Sequence, residues 1–190
     1  MVDTERNVEI IKDSKNQNIV LIKNIVFKGR QNIPWDDVEA YLKKFVGEVV
    51  EIEDGLDLVY IGKDFPDEFS GSDYTAKLKG ALAKAKANAA QGIPELIRAA
   101  FNKRYKRNMA VKHQRDAKYG WYRFNIKFAL PVLDEKGEVM RYNVFCAELL
   151  LRHSENQKLY LYDLINIKKE TGTPLELPEP CGKKLASLKS

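Results

Sequence analysis

Residues 121–132 read Trp121-Tyr122-Arg123-Phe124-Asn125-Ile126-Lys127-Phe128-Ala129-Leu130-Pro131-Val132, and their reading decides the fold class. Apolar and polar groups alternate through most of the run, the two-residue period of a strand with one buried face. Asp134-Glu135-Lys136-Gly137 follows as a turn and residues 139–152 as a second long strand. Ser154-Glu155-Asn156-Gln157 then turns the chain into a third, residues 158–168. Strands joined so briefly pair with their neighbours, which predicts an antiparallel meander.

Upstream, residues 8–27 are β-branched and imperfectly alternating around Lys15-Asn16-Gln17-Asn18, as a hairpin or two edge strands would be. Asn32-Ile33-Pro34-Trp35-Asp36-Asp37 opens a short helix with Val38, Tyr41, Leu42 and Phe45 on one side, closed by Gly47. Residues 48–53 and 56–61 flank Asp54-Gly55, a hairpin signal. Residues 62–72 read as loop. Residues 74–90 are rich in Ala, Leu and Lys and predict a helix whose outer face is made basic by Lys77, Lys79, Lys84 and Lys86. Gly92-Ile93-Pro94 breaks it before a second helix over 95–105.

The class expected is α+β, with an N-terminal hairpin and helices followed by a C-terminal antiparallel β-meander sheet. Residues 1–72 form an N-terminal α+β portion and 73–170 the helices and sheet of the core. Residues 171–190 hold three Pro and two Gly and predict a flexible C-terminal tail.

Composition narrows the function. The 190 residues are 44% hydrophobic and 31% charged, enough apolar material for a folded domain. No apolar run approaches the length of a membrane span. The start, Met1-Val2-Asp3-Thr4-Glu5-Arg6, carries acids where a secretory signal carries basic and then apolar residues. Cys146 and Cys181 are the only cysteines and do not suggest a disulfide framework, so the expected location is cytoplasmic. Two histidines 40 positions apart and the lack of a Cys-x-x-Cys pair argue against zinc, and no metal or cofactor is expected. Glu51, Glu53, Asp54 and Asp57, or Asp64, Asp67 and Glu68, offer carboxylates for magnesium, although acids beside turns are ordinarily just solvated. Phosphate-binding, dinucleotide-binding, hydrolase-elbow and zincin motifs are absent.

The net charge of +5 is unevenly spread. Residues 98–127 carry ten Lys or Arg and one acid, Asp116, leaving 22 basic and 26 acidic residues elsewhere. A concentrated positive field suits a phosphate-bearing partner, and a solvated basic face gives the same count. Within this stretch lies Lys112-His113-Gln114-Arg115-Asp116-Ala117-Lys118-Tyr119-Gly120-Trp121-Tyr122-Arg123-Phe124. Cations steer phosphates while flat rings stack on bases, a combination for single-stranded RNA. The residues expected to hold it are Lys103, Arg104, Lys106, Arg107, Lys112, Arg115, Tyr119, Trp121, Tyr122 and Arg123. Core and rim positions of a strand would account for some of the same aromatics.

Chemistry could be carried by His113, which exchanges protons near neutral pH, unless it is simply solvated. Arg152 at the end of the second strand is suited to clamping phosphate, and His153 to completing an acid–base pair with His113. In the third strand Tyr160, Tyr162, Leu164, Asn166 and Lys168 would share one face. A metal-free ribonuclease needs a base for the 2′-hydroxyl, cations for the charge on phosphorus and an acid for the 5′-oxygen. His113, Lys118, Arg152, His153, Tyr162, Lys168 and Thr171 contain these parts.

Residues 112–124, Phe128-Ala129-Leu130-Pro131-Val132, Leu159-Tyr160-Leu161-Tyr162-Asp163 and Ile167-Lys168-Lys169 together resemble phage- and mobile-element-associated (polyvalent protein) domains of the barnase–EndoU–colicin–RelE nuclease superfamily. The resemblance covers about the last 100 residues. It implies helices before a four-stranded antiparallel sheet, and metal-independent RNA cleavage by transesterification. His113 would match the early His or Lys position, Arg152 and His153 the mid-sheet residues, and Tyr162 with Lys168 or Thr171 the late ones. The expected partners are RNA, single-stranded or tRNA, and an antitoxin or immunity protein. A non-catalytic RNA- or DNA-binding accessory protein of a mobile element, or a protein-interaction domain, would share much of this pattern.

Overall fold

The structure, a computed structural model, describes residues 6–29 and 31–170. In chain order the elements are β1 (Val8–Lys12), β2 (Asn18–Ile22), α1 (Trp35–Leu42), β3 (Val49–Glu51), β4 (Leu58–Tyr60), α2 (Phe65–Gly71), α3 (Asp73–Lys77), α4 (Gly80–Ala89), α5 (Ile93–Arg98), β5 (Phe101–Lys106), β6 (Trp121–Leu133), β7 (Val139–His153) and β8 (Leu159–Lys169). The expected tail, and Thr171 with it, lies outside the described residues.

The protein is α+β. The eight strands of the described residues form one mostly antiparallel sheet in the order β1-β2-β6-β7-β8-β4-β3, with β5 also paired to β6. Only β2–β6 and β4–β8 run parallel. Strands from residues 1–72 thus lie in the same sheet as those from 73–170, and one apolar cluster runs from Val20 to Ile167.

Strand alternation gives the two faces their characters. Phe124, Ile126 and Phe128 of β6, Leu149 and Leu151 of β7 and Leu161 and Leu164 of β8 are buried on one face. Val38 and Leu42 of α1, Phe65 and Phe69 of α2, Ala85 and Ala89 of α4 and Leu96 of α5 belong to the same cluster. Burial of each Leu or Phe contributes about 1.5–3 kcal/mol, so this contact fixes the helices to that face. The other face carries Trp121, Arg123, Asn125 and Lys127, opposite Arg152, Leu150, Glu148 and Cys146. Ile19, Leu21, Ala129 and Tyr142 make a smaller apolar patch there, and the rest, the open face, is half-buried among the described residues.

Five expectations are corrected. Residues 74–90 form not one helix but α3 and α4, parted by the extended backbone of Leu78 and Lys79. Residues 62–72 are not all loop: Phe65 and Phe69 lie one helical turn apart and are buried, with Pro66 in the first turn of α2. The second helix stops at Arg98, and residues 101–106 form β5, because pairing with β6 outweighs their weak helical preference. Lys86 does not face solvent; it is fully buried and ion-paired with Asp163. In β8 the shared face does not persist, since bulges shift the register between Leu150 and Leu151 and between Cys146 and Glu148 of β7. Asp163 and Leu164 are consequently both buried. No described helix is long and apolar enough to cross a membrane.

Candidate active site

Between β5 and β6 the chain crosses the open face and carries His113 with it. Asn108 ties this crossing together: its amide donates to the carbonyls of Ala110 and His113, and its oxygen accepts from Ala110 N–H and, at 3.3 Å, from the Trp121 indole. Gly120 then turns the loop into β6 at φ +96°. A Cβ there would meet the Tyr105 ring at 2.6 Å and the Lys106 carbonyl oxygen at 2.7 Å, so glycine is required on steric grounds as well.

The His113 ring stands edge-on to Trp121 and Tyr162, with centroids 5.1 and 5.7 Å away, while Trp121 and Tyr162 are 4.9 Å apart. Its Nδ1 is 2.8 Å from Asp116 Oδ2. The same carboxylate oxygen lies 3.4 Å from Arg152 Nη1, and Arg152 Nη2 lies 3.7 Å from Asp64. Arg152 also covers the Tyr160 ring at 5.0 Å. With Nδ1 donating to Asp116, the imidazole presents Nε2 as a base. The Tyr162 phenol is pushed up by burial, and further by Glu68, Asp116 and Asp163, so it remains a protonated hydroxyl across the neutral range.

Of the expected catalytic residues, His113, Arg152 and Tyr162 come together. His153 does not join them. Its ring contacts Tyr119 and Tyr122, and consecutive strand residues point to opposite faces, so Tyr122 and His153 lie on the helix-bearing side while Trp121 and Arg152 lie on the open side. Lys168 is opposite Cys146, six residues along β7 from Arg152 and so about 20 Å away. Lys118 stays in the loop, its ammonium 5.5 Å from the Tyr119 ring.

The expected binding residues divide by charge pairing. Lys103 is held by Asp57, Arg104 and Arg123 by Glu148, and Lys127, further along β6, by Asp13 and Glu170. Among the described residues Lys106, Arg107, Lys112, Arg115 and Lys118 make no such ion pair, and all five lie on the β5–β6 segment that carries His113. Tyr119 is partly exposed beside them, and Trp121 and Tyr122 are half-buried. No family model matches the chain, and neither a curated protein nor a solved structure does. The functional reading therefore rests on this geometry.

Sequence reasoning missed Asp116, Asp64 and Glu68 as parts of the site. Asp116 left a signal: it is the only acid in residues 98–127 and stands three positions after His113, within reach of it on one turn. Asp64 and Glu68 stood out only as carboxylates for magnesium, because only the packing of α2 against β8 brings them near Arg152 and Tyr162.

Proposed function

We propose that the chain is a metal-independent ribonuclease that cleaves RNA, such as tRNA or mRNA, by 2′-hydroxyl transesterification. The observation that carries this reading is the His113–Asp116 pair beside Arg152 and Tyr162, on a loop whose cations have no acidic partner among the described residues. His113 Nε2 takes the proton of the 2′-hydroxyl, and the 2′-oxygen bonds to phosphorus. Arg152 faces the charge that gathers on the phosphoryl oxygens, with binding geometry suited to two of them. The bond from phosphorus to the 5′-oxygen breaks, and that oxygen takes a proton from the Tyr162 hydroxyl. The products are a 2′,3′-cyclic phosphate and a 5′-hydroxyl, and the proton on His113 returns to Tyr162 through solvent.

Support comes also from helices α2–α5 preceding the antiparallel strands β5–β8, the part of the arrangement that the nuclease resemblance implies, although these four strands are joined to β1–β4 in one sheet. An enzyme of this kind would work in the cytoplasm as a phage or mobile-element toxin, restrained by an antitoxin or immunity protein. A second reading, a non-catalytic RNA- or DNA-binding accessory protein, is favoured by one observation: two carboxylates already face Arg152.

Incubation of the protein with total tRNA in EDTA tests the proposal. Fragments ending in 2′,3′-cyclic phosphate are expected. Cleavage that needs magnesium would reject the mechanism, and salt-sensitive binding without cleavage would favour the accessory protein.

A further inference from the structure

At the end of the sheet a cleft of about 370 Å³ opens between the β3–β4 hairpin, β5, β6 and the β7–β8 turn, with Tyr122 and His153 from the helix-bearing face and Tyr60, in register with Tyr160 and Arg152, from the other. Asp57, Tyr60, Lys103, Tyr122, His153 and Lys158 line it. Lys103 and Lys158 each stand 4.7 Å from a ring centroid, Tyr122 and Tyr60 respectively. The His153 imidazole, 5.8 Å from Tyr122, has its Nε2 only weakly engaged, 3.3 Å from the Gln157 carbonyl. Lys103 also contacts Asp57 at 2.9 Å, which holds β5 against the β3–β4 hairpin and keeps the cleft in shape.

We propose that this cleft binds one nucleotide unit of a single-stranded RNA, its base against Tyr122 and its phosphate between Lys158 and His153. Flat rings next to cations are the pairing that nucleotides select, because every base offers a face to stack and every unit brings an anion. A volume of about 370 Å³ is of the size that holds a small ligand. The route from the first site is short in sequence terms. Trp121 and Tyr122 are neighbours, as are Arg152 and His153, so a strand rounding this end of the sheet passes from one face to the other. Arg115 and Lys118 lie on the loop bound to that end through Glu155 N–H to the Arg115 carbonyl and Tyr119 N–H to the His153 carbonyl. His153 is thus assigned to binding, at a subsite separate from His113. The assignment to a strand of RNA rests on the ribonuclease reading.

The test uses the full chain carrying His113→Ala, in which His153 is the only imidazole left and its proton resonance can be followed without cleavage. Adenosine 5′-monophosphate is expected to move that resonance along a saturating curve. Inorganic phosphate and adenosine alone should act at least about tenfold more weakly, as should the monophosphate after Tyr122→Leu or Lys158→Glu. An adenylate trimer should saturate at lower concentration than the monophosphate. No movement, a curve matched by inorganic phosphate, or indifference to both substitutions would overturn the subsite. Tighter binding of the monophosphate than of the trimer would overturn its assignment to a strand. Since none of these readings depends on cleavage, loss of the subsite and loss of the ribonuclease reading remain separate results.

Discussion

Lys86 Nζ lies 2.5 Å from Asp163 Oδ1 in the interior, where neither side chain has meaningful access to water. Ser72 and the Leu164 N–H donate to the same carboxylate, and Lys86 also donates to Thr75. The pair anchors α4 to the point where β8 bulges, and the bulge sends Asp163 inward while Tyr162 reaches His113 on the open face. Burial pushes Asp163 up and Lys86 down despite their mutual attraction, so desolvation outweighs the pairing. Lys86→Met, which strands a carboxylate indoors, is expected to destabilise the fold by about 3–5 kcal/mol in urea denaturation. Lys86→Met with Asp163→Leu should recover most of that loss. A double variant as unstable as the single one would show that the pair is not the cause.

Gly120→Ala is expected to lower stability by about 1–3 kcal/mol, because φ +96° and the contacts to Tyr105 and Lys106 exclude a side chain. It should also shift the β5–β6 loop and the His113 ring held by it. Thermal unfolding and the His113 proton resonance would report the two effects, and a variant unchanged in both would refute the steric account.

The cationic residues should separate into two classes by salt dependence. Replacing Lys106, Arg107 and Lys112 with Gln is expected to reduce the slope of log affinity for RNA against log salt by about two to three. Arg104→Gln with Arg123→Gln should change it far less, since both are already engaged by Glu148. Filter binding across a salt series measures this, and equal slopes for the two variants would contradict it.

The Cys146 thiol is pushed up to about 11 by burial, with the neighbouring Glu170 acting in the same direction. In a Cys181→Ser variant its reaction with a disulfide reagent should remain slow at neutral pH and rise towards pH 11. The folded state retains the thiol proton where the unfolded chain loses it, so this group's contribution to stability is present below about pH 9 and lost as pH rises towards 11. A rate that levels off near pH 9 would contradict the burial.

Much of the fold was legible because its signals are local. The alternation of residues 121–132 and the turns at 134–137 and 154–157 were enough for β6, β7 and β8. Asp54-Gly55 marked the β3–β4 hairpin, whose strands came out shorter than the pattern suggested. What failed was set by distant contacts. Lys86 looks like any exposed helical lysine until Asp163, 77 positions away, turns inward to meet it. Residues 101–106 become strand through β6, which no window around Tyr105 contains. At the site, His113, Arg152 and Tyr162 could be chosen by residue type, but which histidine joins them depends on strand parity. Arg152 and His153 are adjacent and therefore face opposite ways, a distinction that residue type alone cannot make.

The proposed mechanism has the imidazole paired with Asp116, and not the one beside Tyr122, take the 2′-hydroxyl proton. It is tested most directly by the single-turnover rate of 2′,3′-cyclic phosphate formation from saturating RNA, in EDTA, for His113→Ala and His153→Ala. Loss of about 10²-fold or more in His113→Ala, with His153→Ala close to the unaltered protein at saturation, is the predicted result. Equal losses in both, or none in His113→Ala, would contradict it.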